Sequence, residues 1–296
     1  MNKLLIVCGP TATGKTQLAF DIARQFHGEL ISSDSRQVYR GLEYLTGKDT
    51  SDLEDIPIWL YDVVSIEEEF SVSQYERLAN KAIDDVTSRG KLPIVVGGTG
   101  LYLKAITLKL SQIHIPPNEV IREKFKDASV EAMQQELQTI DKSKWESMND
   151  SDKKNPRRLI RAIEISLVKP LSISDKEPYD ILWIGLIAPK AVLEERVKNR
   201  VKNRWDGSVE EMKSLVAEPS KISSTIIGIP IVQKYLQSVL SKEDAFEQWA
   251  KKEYQYAKRQ LTWFKKQSSI HWYDVTQEGY KKKITQLVSA WYTRGT

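Results

Sequence analysis

The segment Gly9-Pro10-Thr11-Ala12-Thr13-Gly14-Lys15-Thr16 constrains this chain more than any other part of it. It fits the phosphate-loop spacing G-x-x-x-x-G-K-[ST]. An apolar run over 3–8 precedes it, as a buried parallel strand would. Leu18, Ala19, Ile22, Ala23 and Phe26 follow at helical spacing, so the loop sits between a strand and an amphipathic helix. Glycines there let backbone amides turn inward around phosphate oxygens, Lys15 adds a point charge, and Thr16 offers a hydroxyl to Mg²⁺. The positive end of the following helix points at the same anion. The segment therefore implies polyphosphate binding and leaves open whose polyphosphate it is.

The same alternation continues. Glu29–Ser32 reads as a second strand ending near Asp34, Trp59–Val64 as an extended piece, 72–88 as a helix, and Pro93–Val96 as a strand breaking at Gly97-Gly98. Gly28 reads as the stop signal of the first helix. Strands alternating with helices predict an α/β fold with a parallel sheet flanked by helices. Ligands in such sheets bind beyond the carboxyl ends of the strands, so Gly9–Thr16, Asp34 and Gly97–Thr99 should converge on one site. From about Ser111 the pattern turns polar and helical, with Pro116-Pro117 at its entrance and Pro170 and Pro178 near its exit. We read 111–179 as an inserted helical subdomain, with 1–110 and 180–296 forming the core domain. Ile181–Ile187 returns as a strand, and the chain from Lys190 reads as mainly helix.

Bulk properties exclude several classes. With 41% hydrophobic and 28% charged residues, the 296-residue chain reads as an ordinary globular protein. No apolar stretch is long enough to cross a bilayer, and a cleavable leader would remove the phosphate loop, so a cytoplasmic location and no membrane partner are expected. The single cysteine, Cys8, allows no internal disulfide and sits in a core strand. A formal net charge of +4 does not mark a nucleic-acid binder, so RNA binding would need a local basic face.

Several residues carry possible chemistry. Asp34, in Ser32-Ser33-Asp34-Ser35-Arg36-Gln37-Val38-Tyr39, is placed to take a proton from a nucleophile, to hold a metal, or to cap a turn. Gly97-Gly98-Thr99 stands where many phosphate-loop ATPases carry a metal-holding aspartate, which argues against a motor and for small-molecule kinases and their relatives. Arg196, Arg200 and Arg204 share one helix face and suit either a phosphate clamp or a solvated surface. Arg157, Arg158 and Arg161 form a second basic cluster. A third, Lys251, Lys252, Lys258, Arg259, Lys265 and Lys266, is interleaved with Tyr254, Tyr256, Trp263 and Phe264, a mixture that suits RNA phosphates and unpaired bases or an amphipathic surface helix. His27, His114 and His271 lack metal-ligand spacing.

Taken together, Gly9–Thr16, Asp34-Ser-Arg-Gln-Val-Tyr-Arg-Gly41, Val96-Gly-Gly-Thr-Gly-Leu-Tyr102, Pro156-Arg-Arg-Leu-Ile-Arg-Ala-Ile-Glu164, Glu195-Arg-Val-Lys-Asn-Arg200 and Tyr256-Ala-Lys-Arg-Gln-Leu-Thr-Trp-Phe264 resemble the tRNA dimethylallyltransferases, in family order over nearly the whole chain. The resemblance implies a P-loop NTPase-like, nucleotide-kinase-like fold whose helical insertion grips the anticodon stem-loop. It implies transfer of a dimethylallyl group from dimethylallyl diphosphate to the exocyclic amine of the adenine 3′ to the anticodon, in tRNAs reading codons that begin with U. The phosphate loop would hold the donor's diphosphate, with Mg²⁺ on Thr16. Asp34 would be the general base, assisted at the diphosphate by Thr11 and Arg200. Asp34, Ser35, Arg36, Gln37, Thr99, Arg122, Arg157, Arg158 and Arg161 would touch tRNA, and a monomer is expected. The chain departs from the family pattern at Leu45–Thr50, at Ile58-Trp59-Leu60, at Ile227-Gly228-Ile229-Pro230-Ile231 and at Lys202. The rival readings are a small-molecule or nucleotide kinase, which would consume ATP, and an RNA-binding module without catalysis.

Overall fold

The computed structural model describes residues 2–48, 56–108, 110–168, 179–215, 219–220 and 223–294. Pro170, Pro178, Asp49 and Thr50, used above as markers, lie outside the described residues. The chain divides into two compact units: Met1–Thr107 with Glu177–Thr296, and Leu108–Lys176.

The first unit is built on a six-stranded sheet of β1 (Asn2–Cys8), β2 (Gly28–Ser33), β3 (Ile58–Trp59), β4 (Leu92–Gly97), β5 (Tyr179–Ile187) and β6 (Ile270–Asp274). The order is β3-β2-β4-β1-β5-β6, and every pairing is parallel. Alternate residues of β1 face opposite ways, as the period of two requires. Leu5 and Val7 pack with Leu18, Ala19 and Ile22 of α1 (Lys15–Phe26) and with Ile284 and Val288 of α13 (Tyr280–Tyr292). Leu4, Ile6 and Cys8 join the core on the other face. That face carries α3 (Val72–Ser88), α4 (Gly100–Thr107), α10 (Lys190–Ser214), α11 (Gly228–Leu236) and α12 (Lys242–Phe264), with the short α2 (Glu43–Thr46) against α10. Both faces are covered, which is why the central strands read as unbroken apolar runs. Cys8 is fully buried, and burial pushes its thiol far up, consistent with a core residue.

Register does the positioning. Cys8 lies opposite Gly97 and Gly185, and Gly97 lies opposite Ser33. The strand ends are therefore level, and the next residues of β1, β2 and β4 (Gly9, Asp34 and Gly98) leave the sheet side by side.

Two local readings differ, and a third, the mainly helical stretch, holds with one addition. The piece expected over Trp59–Val64 is a strand only at Ile58–Trp59, because Leu60 and Asp62 take positive φ of 70° and 57° and turn the chain; Val64 then bridges Tyr39. The first helix is closed by His27, itself left-handed with φ 56°, and Gly28 opens β2. The stretch after Lys190 contains one strand, β6, with the mixed sequence Ile-His-Trp-Tyr-Asp at the sheet edge.

The second unit has its own small core of Phe125, Met133, Leu137, Leu159, Ala162 and Ile163. It is made of α5 (Glu119–Lys124), α6 (Val130–Ile140), α7 (Lys142–Ser147), α8 (Asp150–Lys153) and α9 (Pro156–Ser166). Asn118, Ser129, Asp141, Asn149 and Asn155 each cap the following helix by accepting a backbone N–H. Caps of this kind contribute about 1 kcal/mol each, which matters for helices this short.

Candidate active site

The phosphate loop leaves β1 at Gly9, whose φ of 135° and close approach to the Leu186 carbonyl leave no room for a side chain. Ala12 and Gly14 also take positive φ, and the loop curls back on itself. Thr13 Oγ1 and Lys15 Nζ both donate to the Pro10 carbonyl at 2.8 Å. Gly14 caps α1 without a side-chain acceptor, so the first-turn amides of that helix stay available to an anion. Burial, then the nearby Arg200, holds the Lys15 ammonium down to about 8, with Asp34 opposing the shift. A lysine in that state gains most from a phosphate partner.

Asp34 follows β2. Its Oδ1 accepts the Arg36 N–H at 2.9 Å, so the turn-capping role is real. That bond leaves the carboxylate on the wall of both cavities described below. Its loop is pinned to the Gly97–Thr99 turn: Thr99 N donates to Ser33 O at 3.0 Å and Ser35 N to Thr99 Oγ1 at 3.0 Å. Gly97 packs against the Ser33 backbone and Gly100 lies under the Trp263 ring, which accounts for two of the three glycines in Gly97-Gly98-Thr99-Gly100. Gln37 reaches Ser32 Oγ at 3.1 Å and the Gly47 carbonyl at 3.1 Å.

The arginine helix, α10, presents Arg196, Arg200 and Arg204 toward this site. Arg200 donates to Thr11 Oγ1 and, at 2.9 Å, to the Gly47 carbonyl, two neutral oxygens. Gly47 has φ 64°, and a β-carbon there would collide with the guanidinium, so glycine is required for the approach. Arg204 is buried, donates to Glu253 at 3.2 Å and lies 5.3 Å over the Trp249 ring. Burial, with Arg200 nearby, holds Arg204 down to about 10, while Glu253 supports its charge. Burial together with the Asp34 carboxylate raises the Tyr256 phenol to about 12, with the neighbouring Thr99 opposing the shift.

Two cavities meet here. One, of about 650 Å³, is lined by phosphate-loop residues, Asp34, Gln37 and the three arginines. The other, of about 160 Å³, has Leu45, Ile226, Ile227, Tyr256 and Arg259 on its walls. Thr11, Asp34 and Arg200 line both. A cationic, amide-rich chamber thus opens beside a partly apolar one, with a carboxylate, a hydroxyl and a guanidinium on the shared wall. Among the described residues no group of three acidic, histidine or cysteine side chains would hold a metal alone. Thr16 and Asp34 do line the larger cavity, and hard oxygen donors of that kind fit Mg²⁺ when substrate phosphates and water complete its shell.

Residues not singled out from the sequence also line the larger cavity, among them Gly47, Lys48, Tyr61, Asn199, Asn203 and Gln260. Lys48 pairs with Asp62 and Glu43 and donates to the Tyr39 carbonyl at 2.7 Å, so its charge is already compensated. Gly47 and Lys48 fall in a segment that departs from the family pattern; a glycine beside an arginine-facing carbonyl carries no sequence signal of its own.

In the second unit the arginines divide. Arg122 Nε and Arg161 Nη1 each donate to the buried Glu164 at 2.9 Å, and Arg161 Nη2 reaches the Gln112 and Ile115 carbonyls at 2.8 and 2.7 Å. Burial works to raise the Glu164 carboxyl, but the Asn118 N–H and the two guanidinium groups hold it below its usual range. Arg158 pairs with Asp152. Arg157 is exposed and makes no ion pair among the described residues. On α12, Lys258, Arg259, Trp263 and Lys266 line an open groove of about 500 Å³.

The sequence model of the IPP transferase family matches residues 37–267 and so begins after the phosphate loop, which is separate evidence. The tRNA dimethylallyltransferase of Pediococcus pentosaceus is 36% identical over 98% of this chain and 97% of its own length. That of Anoxybacillus flavithermus is 34% identical over 97% and 95%. The crystal structure of the tRNA isopentenylpyrophosphate transferase from Bacillus halodurans superposes with a TM-score of 0.74 at 30% identity, covering 98% of this chain and 97% of that one. With a P-loop NTPase-like parallel sheet and this extent of likeness, the chain belongs to the IPP transferase family, the tRNA dimethylallyltransferases.

Proposed function

We propose that this chain transfers the dimethylallyl group of dimethylallyl diphosphate to the exocyclic amine of an adenine in the anticodon loop of tRNA, next to the anticodon on its 3′ side. The observation that carries this reading is the shared wall: Thr11, Asp34 and Arg200 border both the phosphate-loop chamber and the smaller, partly apolar one.

The diphosphate sits on the loop amides, the first turn of α1 and Lys15. The allylic carbon then lies near the shared wall. As the C–O bond breaks, negative charge grows on the departing oxygen, where Arg200 and the Thr11 hydroxyl stand to stabilise it. The adenine amine forms the new C–N bond and gives its proton to the Asp34 carboxylate. Diphosphate leaves with the electron pair of the broken bond, so charge and atoms balance. When bound, Mg²⁺ would neutralise diphosphate charge, with the Thr16 hydroxyl as the protein oxygen that would hold it.

The adenine must leave its stack to reach Asp34, as bases do for enzymes acting on their edges. Ser35, Arg36, Gln37 and Thr99 are proposed to meet the RNA near that point; the α12 groove supplies cations for the RNA backbone, and in the helical unit Arg157 is a further one. No helix among the described residues is long and apolar enough to cross a membrane.

The deciding experiment incubates the protein with unmodified tRNA and labelled dimethylallyl diphosphate, followed by nucleoside mass analysis, with a parallel ATP arm. Isopentenyl-adenosine and released diphosphate are expected. Phosphate transfer from ATP with unaltered tRNA would replace this reading by a kinase.

A further inference from the structure

We infer that Gln260 is a positioning residue for the transfer reaction: its buried amide locks Thr11 against the Gly98 turn, so that the Thr11 hydroxyl meets Arg200 at the wall between the two cavities. The inference rests on the transferase reading above and adds to it a residue outside the phosphate loop.

Gln260 projects from the buried face of α12, 5% exposed, at the same helical stripe as Glu253, Ala257 and Phe264. Its Oε1 accepts the Thr11 N–H at 2.8 Å and its Nε2 donates to the Gly98 carbonyl at 3.0 Å. One side-chain end must accept on one side and donate on the other. The glutamine amide does both, whereas a glutamate carboxylate would face the Gly98 oxygen with a second acceptor. Swapping the amide's oxygen and nitrogen would set donor against donor and acceptor against acceptor, so the orientation is fixed by its partners. Gly98 is part of the device. A β-carbon there would collide with the Gln260 amide nitrogen, so any side chain at 98 displaces that amide from its present place.

The consequence falls on Thr11. Its N–H is spent on Gln260 rather than on an anion, so the loop's phosphate affinity comes from its other amides and Lys15. What Gln260 controls is where the Thr11 side chain stands, and that hydroxyl is the one Arg200 holds. The same helix places Tyr256 against Thr99 and Glu253 against Arg204, so it touches each wall of the junction.

The test is a double-mutant cycle read in steady-state transfer to unmodified tRNA. Gln260→Met should lower kcat about tenfold to a hundredfold, the scale of a small misplacement of a reacting group, while calorimetric affinity for inorganic diphosphate stays within about threefold. In a Thr11→Val background, where there is no hydroxyl left to position, the same substitution should change kcat by less than about threefold. Gly98→Ala, which displaces the amide instead of removing it, runs through the same cycle and keeps the test decisive if Gln260→Met does not fold. Equal losses in both backgrounds, or diphosphate affinity falling in step with kcat, would assign Gln260 to structure and overturn the inference while leaving the transferase intact. An unaltered chain that transfers nothing would sink the transferase reading, and this inference with it.

Discussion

Two parts of this molecule carry clustered positive charge, and they use it in opposite ways. At the carboxyl edge of the sheet Arg204 and Lys48 face carboxylates, but Arg200 and Lys15 donate to neutral oxygens of Thr11, Gly47 and Pro10, and line a cavity. In the helical unit, Arg122 and Arg161 are consumed by the buried Glu164, and Arg158 by Asp152. Charge held against neutral acceptors is ready for an anion. Charge already facing a carboxylate stabilises the fold first and adds little to an incoming phosphate. A basic run in a sequence does not distinguish the two cases; the acidic residue that decides it, Glu164, sits on the same helix face as Arg161, three positions on.

The sharpest way to break this comparison is at the one carboxylate proposed to act in catalysis. Asp34→Asn keeps an oxygen for the Arg36 N–H and so keeps the turn. Turnover should fall about a thousandfold, in the range lost when a general base is removed. Affinity for inorganic diphosphate should be unchanged or slightly better. Near-normal turnover in a rapid-quench assay would return Asp34 to a purely turn-capping role and leave the cavity without a base.

A smaller effect tests whether Lys15 is poised rather than satisfied. Its ammonium is held down to about 8, chiefly by burial. The protonated form, which binds an anion, dominates below that pH and is lost above it. Diphosphate affinity should therefore weaken as pH rises through about 8. Lys15→Met should weaken binding by about a hundredfold at neutral pH, as for a charge-assisted contact worth 2–3 kcal/mol. Its pH profile should carry only the ligand's own titration. A wild-type profile parallel to that of the variant would show that Lys15 does not titrate in this range.

The sheet edge was legible in the sequence for a physical reason. Its function is written in backbone: glycines at 9 and 14, a lysine and threonine at fixed spacing, and strands whose apolar runs end level. Side-chain partnerships were not legible. Gln260 shares a helical stripe with Ala257 and Phe264, so its spacing points to the buried face, but nothing in it tells which groups the amide meets there. Gly47 lies in a segment that departs from the family pattern, and its value comes from a carbonyl that Arg200 and Gln37 both reach. The strand β6 was hidden because an edge strand paired on one side only needs no unbroken apolar run. Leu60 and Asp62 interrupt the expected extended piece through positive φ, a conformation that aspartate tolerates but that leucine does not advertise.

The smallest effect is the one that most directly sets the two kinds of charge against each other, because it compares neighbours on a single helix. Arg157 is exposed and makes no ion pair among the described residues, whereas Arg161 holds Glu164 and two carbonyls. If only unpaired charge serves RNA, Arg157→Ala should weaken tRNA binding several-fold, lower the salt slope by about one, and leave thermal stability alone. Arg161→Ala should do the reverse. It leaves a buried carboxylate short of a donor and should cost about 2 kcal/mol of stability. Its effect on the salt slope at a temperature where the protein stays folded should be near zero. Binding measured across a salt series, with melting curves on the same preparations, separates the two. Equal slopes lost by both variants would mean that tRNA competes Arg161 away from Glu164. The division between structural and RNA-facing arginines would then hold only for the free protein.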